Sequence, residues 1–122
     1  MKIILCLLFL INYSLCLAQN RKGVYTIQRE KSALGNKSII SGSVVDFATN
    51  QPLKVAVIKI DTTLIQTDTL GHFRQELSPG KHQVRAGFIG YYLIDLGKIS
   101  LRKGELINIL FRVKEDTRPL ID

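Results

Sequence analysis

The chain has 122 residues, with 17 Lys and Arg against 10 Asp and Glu, a formal charge of +7, and 46% apolar residues. That length holds one domain at most, which excludes a multidomain architecture, and the apolar fraction excludes wholesale disorder. Lys2 supplies a positive start, Ile3 to Ile11 is almost unbroken apolar sequence, and Cys16-Leu17-Ala18 puts small residues where a signal peptidase reads. Residues 1–18 therefore read as a secretory signal peptide, too short and interrupted for a membrane span. No second apolar run of that length follows, so no integral span is expected once the leader is removed.

Removing the leader takes away Lys2 and both cysteines, Cys6 and Cys16, and leaves 16 basic against 10 acidic side chains, a formal +6. What remains has no disulfide, thiol nucleophile or thiolate metal ligand, so it must rely on its hydrophobic core. Leu15 stands where a lipoprotein leader carries a small residue, which argues against lipidation of Cys16. Residues 19–37 form a basic polar arm, with Arg21, Lys22, Arg29, Lys31 and Lys37 opposed by Glu30 alone. They read as a flexible lead-in to the domain; the weak alternation of Tyr25 and Ile27 allows a short edge strand at most. The other reading of this arm is contact with a membrane surface or a cell-wall polymer. Nucleic acid is discounted, because one diffuse basic segment without interleaved aromatics offers no stacking platform.

From Ser38 the chain reads as short strands separated by turns. Ile39–Val45 is the first, followed by a polar turn from Asp46 to Pro52. Lys54–Ile60 comes next, with Ala56, Ile58 and Ile60 on one face, and Thr63–Thr69 is a Thr-rich, more exposed strand. The turn at Leu70-Gly71 precedes His72–Leu77, and Pro79-Gly80 marks another turn. Val84, Ala86 and Phe88 share one face of the strand after that; Gly90 breaks the run and Tyr91–Leu96 resumes it. After the turn at Arg102-Lys103-Gly104, Glu105–Val113 carries Ile107, Ile109, Phe111 and Val113 on one face. No stretch keeps a 3.6-residue period, so the class is all-β, an antiparallel sandwich or a small barrel.

The segment from Ile40 to Tyr92 resembles the carboxypeptidase regulatory-like domain, a transthyretin-like (prealbumin-like) sandwich. It is most similar to the version at the periplasmic N-terminus of TonB-dependent outer-membrane receptors of the Bacteroidetes type. The residues that carry the likeness are Gly42-Ser43-Val44-Val45-Asp46, Pro52-Leu53, Ala56-Val57-Ile58, Thr67-Asp68, Gly71-His72-Phe73, Pro79-Gly80 and Phe88-Ile89-Gly90-Tyr91. The departures are Val55, where the family often has Gly, and Thr69 and Leu70, where an acidic residue or Asn is usual. The resemblance implies a Greek-key β-sandwich of about seven antiparallel strands over residues 38–114, with 115–122 as a tail. Gly42, Val44, Asp46, Pro52, Leu53, Ala56, Gly71, Phe73, Pro79, Gly80, Phe88, Gly90 and Tyr91 would be its structural residues. The receptors' plug and barrel and the carboxypeptidases' zinc domain have no counterpart before the chain stops at Asp122. What the resemblance implies is thus a non-catalytic accessory module.

A search for chemistry is thin. His72 and His82 are the only histidines and would sit on neighbouring strands, within reach of Asp68 or Glu76. A zinc site needs three or four ligands in fixed geometry, and His72 beside a turn reads better as a solvated side chain. No nucleophile elbow, Ser-x-x-Lys or phosphate-binding glycine loop occurs. Asp46 and Asp68 read as caps for turn amides. Neither catalytic residues nor a cofactor or metal is therefore expected. Gly90 reads as a permitted kink, with Tyr91 packed over a sandwich end and its hydroxyl bonded. The functional alternative makes Tyr91 and Tyr92 a patch for a glycan or a protein. The strand at Thr63–Thr69 is edge-like and offers a place for strand addition. The leading expectation is an exported module in the periplasm or at the outer-membrane periphery, or secreted, with a structural or protein-interaction role and an envelope protein as partner. A carbohydrate-binding module is the alternative, and a transthyretin-like hydrolase or carrier comes third.

Overall fold

The computed structural model describes residues 23–32 and 35–118. The expected leader with Cys16, the start of the basic arm and the last four residues of the tail lie outside them. Eight strands form: β1 (Gly23–Lys31), β2 (Ser38–Asp46), β3 (Val57–Ile60), β4 (Thr63–Gln66), β5 (His72–Leu77), β6 (Gly80–Gly87), β7 (Ile94–Leu101) and β8 (Glu105–Val113). Two four-stranded sheets, ordered β1-β8-β2-β5 and β4-β3-β6-β7, make a β-sandwich. Among the described residues there is no helix, so none is long and apolar enough to cross a membrane.

Alternation explains the layers. Along β8, Ile107, Ile109, Phe111 and Val113 are all fully buried, and Ile40 and Val44 of β2 join them from the next strand. The facing sheet contributes Ile58, Ile60, Val84, Ala86, Ile99 and Leu101. Phe73 of β5 packs on Phe111 with ring centroids 6.1 Å apart. Each pair is antiparallel except β2 with β8, which run parallel from Ile39 beside Leu106 to Asp46 beside Val113. A parallel neighbour pair requires a long crossover, and here the chain passes through the whole second sheet before β8 returns.

Several expectations need correction. Residues 23–31 are not a flexible arm: all nine form an edge strand paired antiparallel with β8, so the sandwich begins at Gly23 rather than 38 and has eight strands. Alternation there is weak because Val24, on the face opposite Tyr25 and Ile27, is buried as well, while Thr26, Gln28 and Glu30 beyond it face water. β3 starts at Val57 and β4 stops at Gln66, both shorter than the sequence suggests. Tyr91–Leu96 is not a strand; β7 starts at Ile94, and Tyr91 makes only an isolated bridge to Glu115. His72 and His82 do not sit on neighbouring strands either. Their strands belong to different sheets.

Val55 shortens β3. Its φ is +63°, a left-handed conformation in which a β-branched residue is a true outlier. Its amide donates to the Thr67 carbonyl at 3.0 Å, which holds the turn, while about half of the side chain remains in solvent. Relief of strain of about 1–3 kcal/mol outweighs the extra flexibility of glycine in the unfolded chain, about 0.5–1 kcal/mol. Val55→Gly is therefore expected to stabilise the domain by about 1 kcal/mol, raising the melting temperature by about 4 °C. A lower melting temperature in calorimetry would refute the strain argument.

Candidate functional site

One end of the sandwich gathers the β2–β3, β4–β5 and β6–β7 connections together with the residues that follow β8. Asp46 closes β2 there. Its carboxylate accepts from the Thr49 amide at 2.9 Å and the Thr49 hydroxyl at 2.8 Å, and the Tyr91 phenol lies close enough to the same side chain to influence its charge. Thr49 holds the Asp46 carboxyl below its ordinary range against the opposing effect of burial, with Tyr91 adding to the lowering. Burial and the Asp46 charge in turn push the Tyr91 phenol up. Thr67 organises the next loop: its hydroxyl donates to the Leu53 carbonyl at 2.6 Å and accepts from the Ala56 amide at 2.9 Å. Asp68 caps the β4–β5 turn by accepting from the amides of Leu70 and His72, each at 2.9 Å.

Phe88 to Tyr91 form a tight turn, with the Tyr91 amide donating to the Phe88 carbonyl at 2.9 Å and Gly90 at φ +87° in the third position. The turn is anchored by the segment that follows β8. The Asp116 amide donates to the Gly90 carbonyl at 2.8 Å, and the Tyr92 amide to the Lys114 carbonyl at 2.9 Å. Tyr91 packs edge-on against Phe88 at 5.5 Å. The result is a rigid turn whose tip residue, Ile89, is 95% exposed. Leu93, Val55 and Leu70, at 53%, 49% and 63%, belong to the same set of loops. Beside them lies a groove of about 560 Å³ lined by Asp46, Phe47, Leu53, Tyr91, Lys114 and Glu115, among others.

The aromatic faces at this end are largely taken. Arg112 and Lys114 each stand 4.7 Å from the Phe47 ring centre, and the Arg118 guanidinium lies 4.9 Å over Tyr92. Arg118 also pairs with Asp116 at 2.6 Å and lowers that carboxyl to about 2. Tyr91 and Tyr92 are both half-buried rather than an open sugar platform.

The other residues singled out by sequence fall into supporting positions. Val44 and Ala56 are fully buried, and Pro52 bridges to Val45. Gly71, at φ +74°, packs its backbone against the Val44 carbonyl and Pro52, and its own carbonyl accepts from the Val44 amide at 2.9 Å. Pro79 is exposed in the turn that Gly80 leaves to open β6. Gly42 lies where β2 comes closest to the Ile109 carbonyl of β8.

A second polar cluster was not foreseen. At the opposite end, the buried His82 ring donates through Nδ1 to Asp61 Oδ2 at 2.6 Å and through Nε2 to the Ser78 carbonyl at 2.7 Å. Asp61 Oδ1 accepts from the Gln83 amide at 3.0 Å. Both neighbours of the ring are acceptors, so both ring nitrogens need protons and the imidazolium is the form that fits. Burial pulls His82 down, but Asp61 and the Ser78 carbonyl outweigh it and hold the group above its ordinary value. Asp61 is correspondingly lowered, chiefly by His82. His72 is exposed on the other sheet, and among the described residues no three His, Cys, Asp or Glu side chains converge to hold a metal. The sole sequence signal for the pair was Asp61 in a two-residue turn, which says nothing of a histidine 21 residues on.

The chain matches no protein-family model and no curated protein.

Proposed function

We propose that this chain is a non-catalytic, exported β-sandwich whose loop end docks onto a protein of the cell envelope. The observation that carries the reading is apolar exposure. Of the five large hydrophobic side chains exposed among the described residues, Val55, Leu70, Ile89 and Leu93 belong to that one end; only Leu64 lies elsewhere. Scattered exposed apolar residues need no explanation, but a set of them on rigid loops beside a groove is the anatomy of a docking surface. The buried titratable side chains Asp46 and His82 bridge loops and strands, as structural groups do. The leader supports export, and the resemblance to envelope-receptor domains supports an accessory role. Carbohydrate binding ranks lower because Arg118 covers the Tyr92 face and Tyr91 is committed to Phe88 and Asp46.

The test is affinity capture from an envelope fraction with residues 19–122 as bait, beside the Ile89→Asp/Leu93→Asp variant. Both substitutions replace exposed side chains, so each should change stability by no more than about 0.5 kcal/mol. A defined envelope protein retained by the wild type and reduced at least about tenfold with the variant is the expected outcome. Equal retention by both, or no retained protein, would sink the proposal.

A further inference from the structure

The two sides of the sandwich are not alike. On one side β1 and β7 close against each other, with the Arg29 guanidinium donating to the Ser100 carbonyl at 2.7 Å. On the other, among the described residues β5 and β4 are open edges, and β5 is the longer of the two.

The direction of each β5 main-chain group follows from its bonds. Gly71, just before the strand, turns its carbonyl toward the Val44 amide of β2. His72 turns the other way, its amide donating to Asp68 Oδ1 and its carbonyl accepting from the Asp68 amide, both at 2.9 Å. Strand groups alternate with a period of two, so Phe73, Gln75 and Leu77 bond toward β2, while Arg74 and Glu76 point outward. Among the described residues only the Gln75 side-chain amide approaches those outward groups, at 3.3 Å from the Glu76 carbonyl.

We infer that this edge pairs with the β5 edge of a second copy of the chain, antiparallel about a two-fold axis at Gln75. In that register Arg74 of each copy lies directly opposite Glu76 of the other. Their outward amides and carbonyls exchange main-chain hydrogen bonds, and two cross-strand ion pairs form on the exposed face. Charge selects the register. Shifting the axis to Arg74 sets arginine against arginine, and shifting it to Glu76 sets glutamate against glutamate. Charges on an edge normally deter pairing, but opposite signs two residues apart make this edge complementary to itself. Phe73 then faces Leu77 across the seam on the inner side. The Lys37–Glu76 contact, 3.3 Å between half-exposed side chains, is weak enough for Glu76 to take a second cation.

The interface is small, so association belongs in the upper micromolar to millimolar range. Sedimentation equilibrium of residues 19–122, which retain every described strand, up to about 1 mM should show a monomer–dimer equilibrium. Arg74→Glu and Glu76→Arg should each weaken it at least about tenfold, and the double variant should restore it. Circular dichroism checks that each variant is folded. A measurement without variants is amide exchange: at Arg74 and Glu76 it should slow as concentration rises, while β4 amides stay unchanged. A wild type that remains monomeric, a folded double variant that fails to recover dimer, or unprotected Arg74 and Glu76 amides overturns the inference.

Discussion

Gly42→Ala is expected to remove about 3 kcal/mol or more of folding stability, the largest loss foreseen for any single methyl group in this chain. Gly42 sits in the middle of its sheet, paired to Phe73 on β5 and to Ile109 on β8. A Cβ built on its backbone falls on the Ile109 carbonyl oxygen, 2.8 Å from that carbonyl carbon and 2.9 Å from Phe73 Cε1. The ring can rotate away, but the Ile109 carbonyl belongs to the central strand. Relief would require β2 and β8 to part along the parallel ladder, which is worse than ordinary overpacking at about 1–3 kcal/mol. In urea, with a slope of about 1.5 kcal/mol/M, the midpoint should fall by about 2 M. Gly90→Ala is the control. It has a positive φ but nothing within 4 Å of an added Cβ, so only about 1 kcal/mol of backbone strain is expected. A Gly42→Ala loss no larger than that of Gly90→Ala would show that the sheet yields at β2.

The second large effect is pH-dependent. His82 has its folded pKa raised, so its contribution is fully present below the unfolded value of about 6.5 and is lost as pH rises through the folded value. Asp61 has its folded pKa lowered, so its contribution is present above about 3.9 and is lost as pH falls through the folded value. The pair therefore stabilises most between about pH 4 and 6.5. Hydrogen bonds to charged groups contribute about 1.5–3 kcal/mol, and the half-exposed Asp61 carboxylate places this pair at the low end. Stability from urea unfolding should fall by about 1–2 kcal/mol on the alkaline side, between pH 6.5 and 9. Asp61→Asn keeps the turn and its Gln83 contact while removing the charge, so it should flatten that slope and bring the His82 titration down in NMR. A wild-type profile that is level from pH 6.5 to 9 would contradict the imidazolium assignment.

What the sequence made legible follows from how local each feature is. β5 and β8 were read with the bounds they have, because unbroken alternation and turn residues on both sides define them without help from the rest of the chain. Asp46 and Asp68 were read as caps, since their side-chain hydrogen bonds reach no further than Thr49 and His72. β7 was misplaced for a physical reason. A bulge opposite Val84 and Arg85 leaves Leu96 without a partner, so burial moves from Ile94 to Ile99 and Leu101, and the alternation changes phase within one strand. β1 owes its existence to β8, more than 70 residues away, which no local pattern records. At the loop end, Gly90 read as a kink between two strand halves, whereas Phe88 to Tyr91 is a tight turn with Ile89 at its exposed tip. The His82–Asp61 pair depends on how β3 and β6 register, and that register is tertiary.

The position of β8 has a consequence for how the molecule comes into being. The last of the eight described strands to be synthesised lies inside the first sheet, and both β1 and β2 lean on it. Until Glu105–Val113 is available, β1 has no partner strand and β2 has only β5, so a nascent chain has no stable N-terminal half to settle into. Folding must then close very long loops at once, which places it on the slow side for a domain of this size. A chain that cannot complete its first sheet before Val113 has been made stays unfolded through most of its own synthesis, the condition in which the proposed leader could thread it through a membrane channel.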